Sequence, residues 1–284
     1  MTETEKKKGT LYVVATPIGN LEDITMRALR TLQEVDLIAA EDTRHTRKLL
    51  SHFGINKPLI SYYKEKEAGR SDTIVAELLG GRQIALVSDA GTPGISDPGA
   101  MLVDKCRQNG IDVTAVPGPS ALTAALSISG LSYSAFTFLG FLPSKQSQRK
   151  KMLSSLVQLE NLLVFYESPR RIVQTLVDCY EILGERRIVV ARELTKMHEE
   201  ILHGNLSFVL DSLRQKSIVK GEFVVLICAN DVSLPALAEN LPDLLLWYKN
   251  QSGLSMKDSV KKISTDLNLS RSLVYKEALT IWKS

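Results

Sequence analysis

The sequence predicts an α/β protein with two domains that face each other across a cleft, followed by a small helical module. Two observations predict this class. Strand and helix patterns alternate along the first part of the chain, and polar or glycine-rich loops recur where the strands end. The 284 residues exceed one typical domain, and a content of 44% hydrophobic and 24% charged residues is ordinary for a soluble globular protein.

The first domain is predicted over residues 10–117, after a polar and charged segment, 1–9, that we expect to be disordered. Alternating patterns of this kind indicate a parallel sheet whose strands are joined by helical crossovers. The predicted strands are 11–15, 36–40, 84–88 and 113–116, and the predicted helices are 23–34, 44–53, 69–80 and 99–109.

The second domain is predicted over residues 118–232. Its boundary lies near Pro117 and Pro119, because neither a continuing helix nor a central strand accommodates two prolines. The predicted strands are 136–138, 162–166, 187–192, 200–204 and 222–228, and the predicted helices are 121–129, 147–158 and 168–183.

Residues 240–284 have the pattern of a small helical module. Ser255 resembles an N-cap, and Met256, Val260, Ile263 and Leu267 follow at helical spacing. A second helix begins after Ser270, and a third precedes both of them around 243–249. This spacing is typical of a helix-turn-helix, and equally of a plain three-helix packing module.

The formal net charge of +3 comes entirely from residues 242–284, because the rest of the chain carries equal numbers of acidic and basic residues. A neutral body with a basic tail indicates an acidic partner, and we expect RNA. The apolar stripe of the module would face inward and leave its cations outward. The expected phosphate contacts are Lys257, Lys261, Lys262, Arg271 and Lys276.

Several common chemistries are excluded by the motifs that the sequence lacks. It has no GxxxxGK[ST] or GxGxxG loop, no HExxH and no GxSxG. ATP, NAD, a metal site and covalent nucleophilic catalysis are therefore disfavoured. Cys106, Cys179 and Cys228 show no CxxC spacing, and no apolar run approaches the roughly 20 residues that span a bilayer. We expect a cytoplasmic protein without a membrane partner.

The strand-end loops predict a shared cleft. The longest reads LVSDAGTPGISDPG from Leu86, and its glycines let a ligand approach the backbone. Backbone amides, carboxylates and small hydroxyls would line such a cleft. They suit a small zwitterionic cofactor with an adenosine moiety. The other loops are TPIGN from Thr16, EDTRH from Glu41, PGPSA from Pro117 and ESPRR from Glu167.

Together with ARELTKMHEE, these motifs resemble the tetrapyrrole methylase superfamily, and within it the branch that modifies ribosomal RNA. The resemblance runs from Leu11 to about Ala229. It implies a class III methyltransferase fold, S-adenosylmethionine as cofactor, a homodimer, and 2′-O-methylation of a cytidine in 16S ribosomal RNA at the decoding centre. Ser88-Asp89-Ala90 stands where many porphyrin-modifying relatives have GDP, which favours the RNA branch.

The resemblance also implies a set of cofactor-binding residues at the strand ends. The first turn would hold the cofactor by its backbone, and the long loop, the PGPSA turn and the later strand ends would complete the pocket. The implied residues are Pro17, Ile18, Gly19, Val87, Ser88, Asp89, Thr92, Ile95, Ser120, Ala121, Glu167, Glu193 and Leu194.

Methylation of a ribose hydroxyl requires a base that removes its proton. Glu41 and Glu167 are the favoured candidates among the strand-end groups, which also include Asp42, His45 and Glu193; each could instead form a salt bridge with a neighbouring arginine. The cations that could hold RNA phosphates beside these loops are Arg44, Arg47, Arg170, Arg171 and Lys196.

Two rival functions remain at this stage. One is an enzyme of the same fold that acts on a corrin or porphyrin, and RNA binding would separate it from the RNA methyltransferase. The other is a non-catalytic RNA-binding module, which would not bind S-adenosylmethionine.

Overall fold

A computed structural model describes residues 7–216, 220–229, 241–251, 253–266 and 271–283. The chain divides into two compact units, Met1–Ala229 and Asn230–Ser284. The first unit contains two five-stranded sheets, and the second contains helices.

The first sheet is entirely parallel, as the alternating pattern predicts. Its strands are β1 (Thr10–Val14), β2 (Leu37–Ala40), β3 (Leu59–Ser61), β4 (Ile84–Val87) and β5 (Asp112–Val116), in the order β3-β2-β4-β1-β5. Every residue of β2 and β4 is buried. Their apolar runs are continuous because helices cover both faces of the sheet.

Four helices connect these strands: α1 (Met26–Glu34), α2 (Thr43–His52), α3 (Glu67–Leu79) and α4 (Ala100–Gln108). One face of the sheet packs around Leu78, Leu86 and Leu102, and the other around Leu32 and Val87. The helix predicted from residue 23 begins three residues later. Thr25 caps it by accepting a hydrogen bond from the Ala28 N–H, and Leu21–Asp23 form a separate 3₁₀ turn.

The second sheet is mixed rather than parallel. Its strands are β6 (Phe136–Phe141), β7 (Leu162–Glu167), β8 (Arg187–Arg192), β9 (Glu200–Asn205) and β10 (Phe223–Ile227), in the order β6-β7-β10-β8-β9. Only the β6–β7 pair is parallel among these strands. The accompanying helices are α5 (Ala121–Ile128), α6 (Gln146–Ser155), α7 (Ile172–Leu183) and α8 (Leu206–Arg214).

A buried ion pair joins α6 to α7. The Arg149 Nε donates to Asp178 Oδ2 at 2.7 Å, and the two side chains are 4% and 0% exposed. The same guanidinium donates to the carbonyls of Pro143 and Ser144, and Gln146 donates to the second carboxylate oxygen. Burial opposes ionisation of Asp178, but these hydrogen bonds outweigh it and lower the pKa of the carboxyl.

The second unit contains α9 (Leu241–Gln251), α10 (Met256–Asp266) and α11 (Arg271–Lys283). The three helices match the predicted pattern and share a core around Leu244, Val260 and Val274. Ser255 caps α10 as expected, since its Oγ accepts the Asp258 N–H at 3.2 Å. Leu267 and Ser270, which belong to the predicted pattern, lie outside the described residues.

The predicted domain boundaries remain predictions, because both sheets belong to one compact unit. The first sheet ends at Val116, which agrees with a division near Pro117. Residues 1–6 and 230–232 lie outside the described residues. Lys8 and Gly9, included in the segment predicted to be disordered, are hydrogen-bonded: the Gly9 N–H donates to the Leu78 carbonyl at 2.8 Å, and the Lys8 Nζ to the Asn109 carbonyl at 2.9 Å.

Candidate functional site

The strand-end loops of the first unit enclose a cavity of about 450 Å³, within the range of small-molecule sites. Both sheets contribute to its lining. The lining residues are Ile18, Glu41, Asp89, Ala90, Gly91, Thr92, Ile95, Ser96, Asp97, Ser120, Ala121, Phe141, Tyr166, Glu167, Ser168, Pro169, Leu194, Lys196, Glu222, Phe223 and Val224.

The loop after β4 is joined to the turn after β1 by two backbone hydrogen bonds. Thr16 and Gly91 exchange N–H···O bonds of 2.9 Å in each direction. Gly91 has φ +81°, a left-handed conformation that side chains rarely adopt. A Cβ atom on Gly91 would lie 3.5 Å from the Ile18 side chain, in van der Waals contact with it. The glycine therefore shapes one wall of the cavity with bare backbone.

Gly19 is required by a close approach between the first turn and the segment after β8. A Cβ atom on Gly19 would lie 2.9 Å from the Leu194 carbonyl oxygen and 2.8 Å from Thr195 Oγ1. The Asn20 N–H donates to that same Thr195 Oγ1 at 3.1 Å. The first turn is thus fixed against the second half of the unit, and the two together close one side of the cavity.

Carboxylates are concentrated on one part of the lining. Burial and the neighbouring charge of Asp97 raise the pKa of Glu41. Burial also raises the pKa of Asp97, with further contributions from Asp89 and Glu222 against a hydrogen bond from Ser88. Glu41 accepts one long hydrogen bond, 3.4 Å from the Asp89 N–H. A half-buried carboxylate with a raised pKa in a cavity is suited to accept a proton.

Glu167, the other catalytic candidate, is held on both carboxylate oxygens. Its Oε1 accepts the Ser168 N–H at 2.8 Å, and its Oε2 accepts the Thr175 hydroxyl at 2.7 Å and the Arg171 guanidinium at 3.1 Å. The side chain is 1% exposed. This arrangement fixes the loop after β7 and leaves Glu41 as the more accessible of the two carboxylates.

Lys196 lines the cavity while bridging two carboxylates. Its Nζ donates to Glu193 at 2.8 Å and to Glu222 at 3.0 Å. Burial lowers the pKa of Lys196, but these two hydrogen bonds outweigh it and raise the pKa. Glu193 and Thr195 have φ of +51° and +65°, so the backbone of this segment is strained.

The structure brings most of the implied cofactor residues to the cavity, and their role in binding stays a prediction. Lining it are Ile18, Asp89, Thr92, Ile95, Ser120, Ala121, Glu167 and Leu194. Five of the implied residues do not belong to this lining. These are Pro17, Gly19, Val87, Ser88 and Glu193.

The predicted RNA-binding cations have different surroundings. The guanidinium of Arg171 donates to Glu167 and to the Leu142 and Pro143 carbonyls, and its role in RNA binding stays a prediction. Arg44 pairs with Asp42 at 2.7 Å, although its side chain is 85% exposed. The remaining exposed positions are Arg47, Arg170, Lys257, Lys261, Lys262, Arg271 and Lys276.

Sequence reasoning assigned no role to Asp97, to Phe141, or to Glu222 and the first two residues of β10, Phe223 and Val224. Asp97 lies in the quoted loop motif, so its position at a strand end could have indicated it. Phe141 and Phe223 belong to apolar strand patterns of the second sheet. Such patterns indicate core packing and give no sign that a strand end opens into a cavity.

The described residues offer neither a metal site nor a membrane span. They contain no group of three or more His, Cys, Asp or Glu side chains arranged to hold a metal ion. Nor do they include a helix with the length and apolarity needed to cross a bilayer.

The chain is similar in sequence to proteins of a known family. The sequence profile of the family described as Tetrapyrrole (Corrin/Porphyrin) Methylases matches residues 10–209. A Synechocystis protein named Ribosomal RNA small subunit methyltransferase I is 46% identical over 276 residues, covering 96% of this chain and 98% of the relative. An Escherichia coli O157:H7 protein of the same name is 44% identical over 284 residues, covering 97% of this chain and 96% of its own.

A shorter relative of the same name occurs in Thermotoga maritima. It is 48% identical over 223 residues, which are 78% of this chain and 100% of the relative. Among solved structures, Thermus thermophilus uroporphyrin-III C-methyltransferase complexed with S-adenyl homocysteine has a TM-score of 0.54 at 18% identity, covering 77% of this chain and 97% of that chain. Diphthine synthase has a TM-score of 0.61 at 14% identity, with 78% and 90% covered. At these identities the structures show a shared fold.

Proposed function

The chain belongs to the ribosomal RNA small subunit methyltransferase I family of the tetrapyrrole methylases, and on this premise we propose that it methylates the 2′-hydroxyl of a cytidine in 16S ribosomal RNA at the decoding centre. The prediction of S-adenosylmethionine as the cofactor is confirmed by membership of this methyltransferase family, and the prediction of an α/β class III methyltransferase fold is confirmed by the family match and the structure. The choice of cytidine and of its 2′-hydroxyl is the proposal.

One observation carries the proposal: the polar loops that follow β1, β2, β4 and β7 converge on one cavity, whose lining includes Glu41, a carboxyl with a raised pKa. Relatives named as ribosomal RNA methyltransferases are 43% to 51% identical to the chain. The uroporphyrin-III C-methyltransferase described above shares the fold at only 18% identity. These two findings favour RNA over a corrin or porphyrin as the substrate.

The cavity fits S-adenosylmethionine in size and chemistry. Ile18, Leu194 and Val224 provide buried apolar walls, and Asp89 and Ser120 provide polar groups for ribose hydroxyls and a cationic amino group. The bare backbone of Gly91 leaves room for close approach. When bound, the cofactor supplies a methyl group on a positively charged sulfur. The residues proposed to hold it are Ile18, Asp89, Thr92, Ile95, Ser120, Ala121 and Leu194.

Glu41 is the proposed proton acceptor. A ribose hydroxyl is a weak nucleophile until its proton is being removed, and a positioned base contributes about 10²- to 10⁴-fold to such a step. Glu41 lies at the end of β2 and lines the cavity with one long hydrogen bond to its carboxylate. The acidic neighbours Asp89 and Asp97 favour proton uptake by this group.

Exposed cations in each unit are proposed to bind RNA phosphates. In the first unit these are Arg44, Arg47 and Arg170, at or just after the strand-end loops, and in the second unit they are the five exposed cations of α10 and α11. Arg44 is already paired with Asp42, so a phosphate would have to share its guanidinium. Lys196 is bridged by two carboxylates and is better suited to fixing the cavity wall than to binding phosphate.

A homodimer in the cytoplasm completes the proposal. Ile128, Tyr133 and Phe136 are 48%, 40% and 42% exposed, and the last two rings contact each other at 6.2 Å between centroids. Contiguous exposed apolar groups are typical of association surfaces. Sedimentation of the wild type and of Phe136→Glu tests this step, with a dimer expected for the first and a monomer for the second.

The direct test is transfer of labelled methyl groups to 16S ribosomal RNA or to the small ribosomal subunit. We expect label on the 2′-oxygen of one cytidine, also in the presence of a chelator. Divalent ions should be needed only where they fold the RNA. Label on a base, or label only on a corrin or porphyrin, would overturn the proposal. Failure to bind S-adenosylmethionine would favour a non-catalytic RNA-binding module.

A further inference from the structure

An aromatic side chain is held rigidly and half exposed at the cavity. Phe141, the last residue of β6, lines the cavity with 57% of its surface accessible to solvent. Ile95, from the loop after β4, lines the same cavity and is 50% exposed. A single exposed apolar residue requires no explanation on a protein surface. Phe141 differs from such a residue because several contacts fix its position at the cavity.

The position of Phe141 is set by an irregularity in its strand. The register of β6 with β7 shifts between Phe138 and Phe141, so that Phe141 pairs with Tyr166. Gly140 adopts φ +61° at this shift, and a Cβ atom there would lie 3.4 Å from Ser96 Oγ in the loop after β4. Bulges of this kind redirect a side chain next to functional sites.

The ring of Phe141 rests on a second aromatic ring. Its centroid lies 5.6 Å from that of Tyr166, with the planes inclined by 62°. Tyr166 is itself wedged against Phe138 at 5.0 Å. Edge-to-face pairs of this geometry are favourable. They also limit the rotation of Phe141 without covering the exposed part of its surface.

Two arginines fix the backbone that follows Phe141: the buried Arg149, and Arg171, whose side chain is 29% exposed. Arg171 donates to the Leu142 carbonyl at 2.7 Å, and Arg149 donates to the Pro143 and Ser144 carbonyls at 3.1 and 3.2 Å. Both guanidinium groups are anchored by carboxylates, Glu167 and Asp178 respectively. The exposed ring is therefore presented by a preorganised segment, which lowers the entropic cost of binding a ligand.

We infer that Phe141 is the stacking platform for the base of the target nucleotide. This inference rests on the proposed function. A base that leaves the RNA stack loses its neighbours, and proteins commonly replace them with an aromatic ring. Buried apolar walls inside the cavity, Ile18, Leu194 and Val224, already suit the cofactor, whereas the accessible ring of Phe141 meets a group that arrives from solvent. Lys145 and Arg170 are exposed cations close in sequence to this rim and suit the flanking phosphates.

The experiment compares Phe141→Ala, Phe141→Leu and Phe141→Trp in the full chain. Methyl transfer to 16S ribosomal RNA gives kcat and KM, and calorimetry gives the affinity for S-adenosylmethionine. Stacking on an aromatic ring predicts a loss of about 5- to 150-fold in kcat/KM for Ala and Leu, through KM for the RNA. Phe141→Trp should stay within about threefold of the wild type, and cofactor affinity should be unchanged in all three. Phe208→Ala, an exposed phenylalanine of α8 outside the cavity lining, is the matched control.

Other outcomes separate the failures. A parallel loss of cofactor affinity would assign the ring to the adenine of S-adenosylmethionine and overturn the inference. Equal activity of all variants would also overturn it, while the proposed function would stand. If Phe141→Ala does not fold, the Leu and Trp variants, which keep a bulky apolar side chain, decide. If the wild type transfers no methyl group to RNA, the proposed function fails, and RNA affinity measured without turnover then shows whether Phe141 contacts RNA.

Discussion

At the scale of single residues, the environment of Glu41 decides its chemistry. Four of the cavity-lining side chains are carboxylates that influence one another: Glu41, Asp89, Asp97 and Glu222. Glu41 is the member at the end of β2, where ligands of parallel sheets bind. Its strand-end position is visible in the sequence. Its raised pKa is not visible there, because it depends on burial in the folded chain and on Asp97, which lies 56 residues away in the sequence.

Glu41→Gln should lower kcat by about 10²- to 10⁴-fold, because glutamine keeps the shape but cannot accept the proton. Affinity for S-adenosylmethionine should stay unchanged. The carboxylate must be ionised to act, so the rate of the wild type should fall as the pH drops through the raised pKa of Glu41, and the variant should lack this acidic limb. Single-turnover methyl transfer across pH measures both. Glu77→Gln, an exposed carboxylate outside the cavity, is the control, and a Glu41→Gln enzyme with normal kcat would remove Glu41 as the base.

Gly91→Leu should abolish cofactor binding and leave the protein folded. A side chain at φ +81° is strained by about 1–3 kcal/mol, and it would also project from the cavity wall. Gly54→Leu is the matched control, since Gly54 also has a positive φ, +66°, and a Cβ atom added there would have no neighbouring atom of the described residues within 4 Å. Calorimetry with S-adenosylmethionine and thermal unfolding report the two effects. Equal affinities for the two variants would place the cofactor elsewhere.

At the scale of elements, the second sheet depends on a buried charge pair that no local pattern reveals. Arg149 and Asp178 read as ordinary exposed helix residues, yet both face the interior. The spacing of apolar residues in the sequence does not reveal an ion pair between residues that are distant in the chain. The helix α8 was missed for a different reason: Leu206, Val209, Leu210 and Leu213 have helical spacing, so a count over this window would have predicted it. The strand β3 is three residues long and only partly buried, too short to produce a pattern.

Asp178→Ala should destabilise the protein by about 3–5 kcal/mol, because it leaves the Arg149 guanidinium buried without its counter-charge. The pKa of Asp178 is lowered from the ordinary value near 3.8, so its stabilisation is present above that pH and is lost as the pH falls through the lower, folded-state pKa. Asp211→Ala breaks the exposed pair with Arg214 and should cost under about 1 kcal/mol. Urea unfolding at several pH values compares them, and equal costs would contradict a special role for the buried pair.

At the scale of the whole molecule, the parallel first sheet and the helical second unit could be predicted because each pattern is local. The mixed order of the second sheet could not, since antiparallel pairing of β7, β8, β9 and β10 depends on contacts across the chain. The same limit applies to the cavity. Its strand-end loops were predicted, and the residues contributed by β6 and β10 were not. The Thermotoga maritima relative, whose whole length matches 78% of this chain, indicates that the family fold does not require every part of it.

The second unit should add RNA affinity without altering the cofactor pocket. The double variant Lys257→Ala/Lys262→Ala removes two exposed cations of α10, and phosphate contacts by such cations release counterions. Binding to 16S ribosomal RNA should weaken, and the slope of log affinity against log salt should become shallower by about 1–2. Arg107→Ala/Arg187→Ala, with the same change of charge in the first unit, is the control. An unchanged slope would instead favour a packing or dimerisation module.

The most direct test of the central claim is to map the methyl group on its product. Purified protein is incubated with S-adenosylmethionine carrying a labelled methyl group and with small subunits that lack the modification. The 16S ribosomal RNA is then digested to nucleosides and to short fragments, and mass spectrometry identifies the nucleosides and sequences the fragments. The account predicts one labelled 2′-O-methylcytidine at the decoding centre, strongly reduced with Glu41→Gln. Label on a base, on a nucleotide other than cytidine, or on no RNA at all would contradict it.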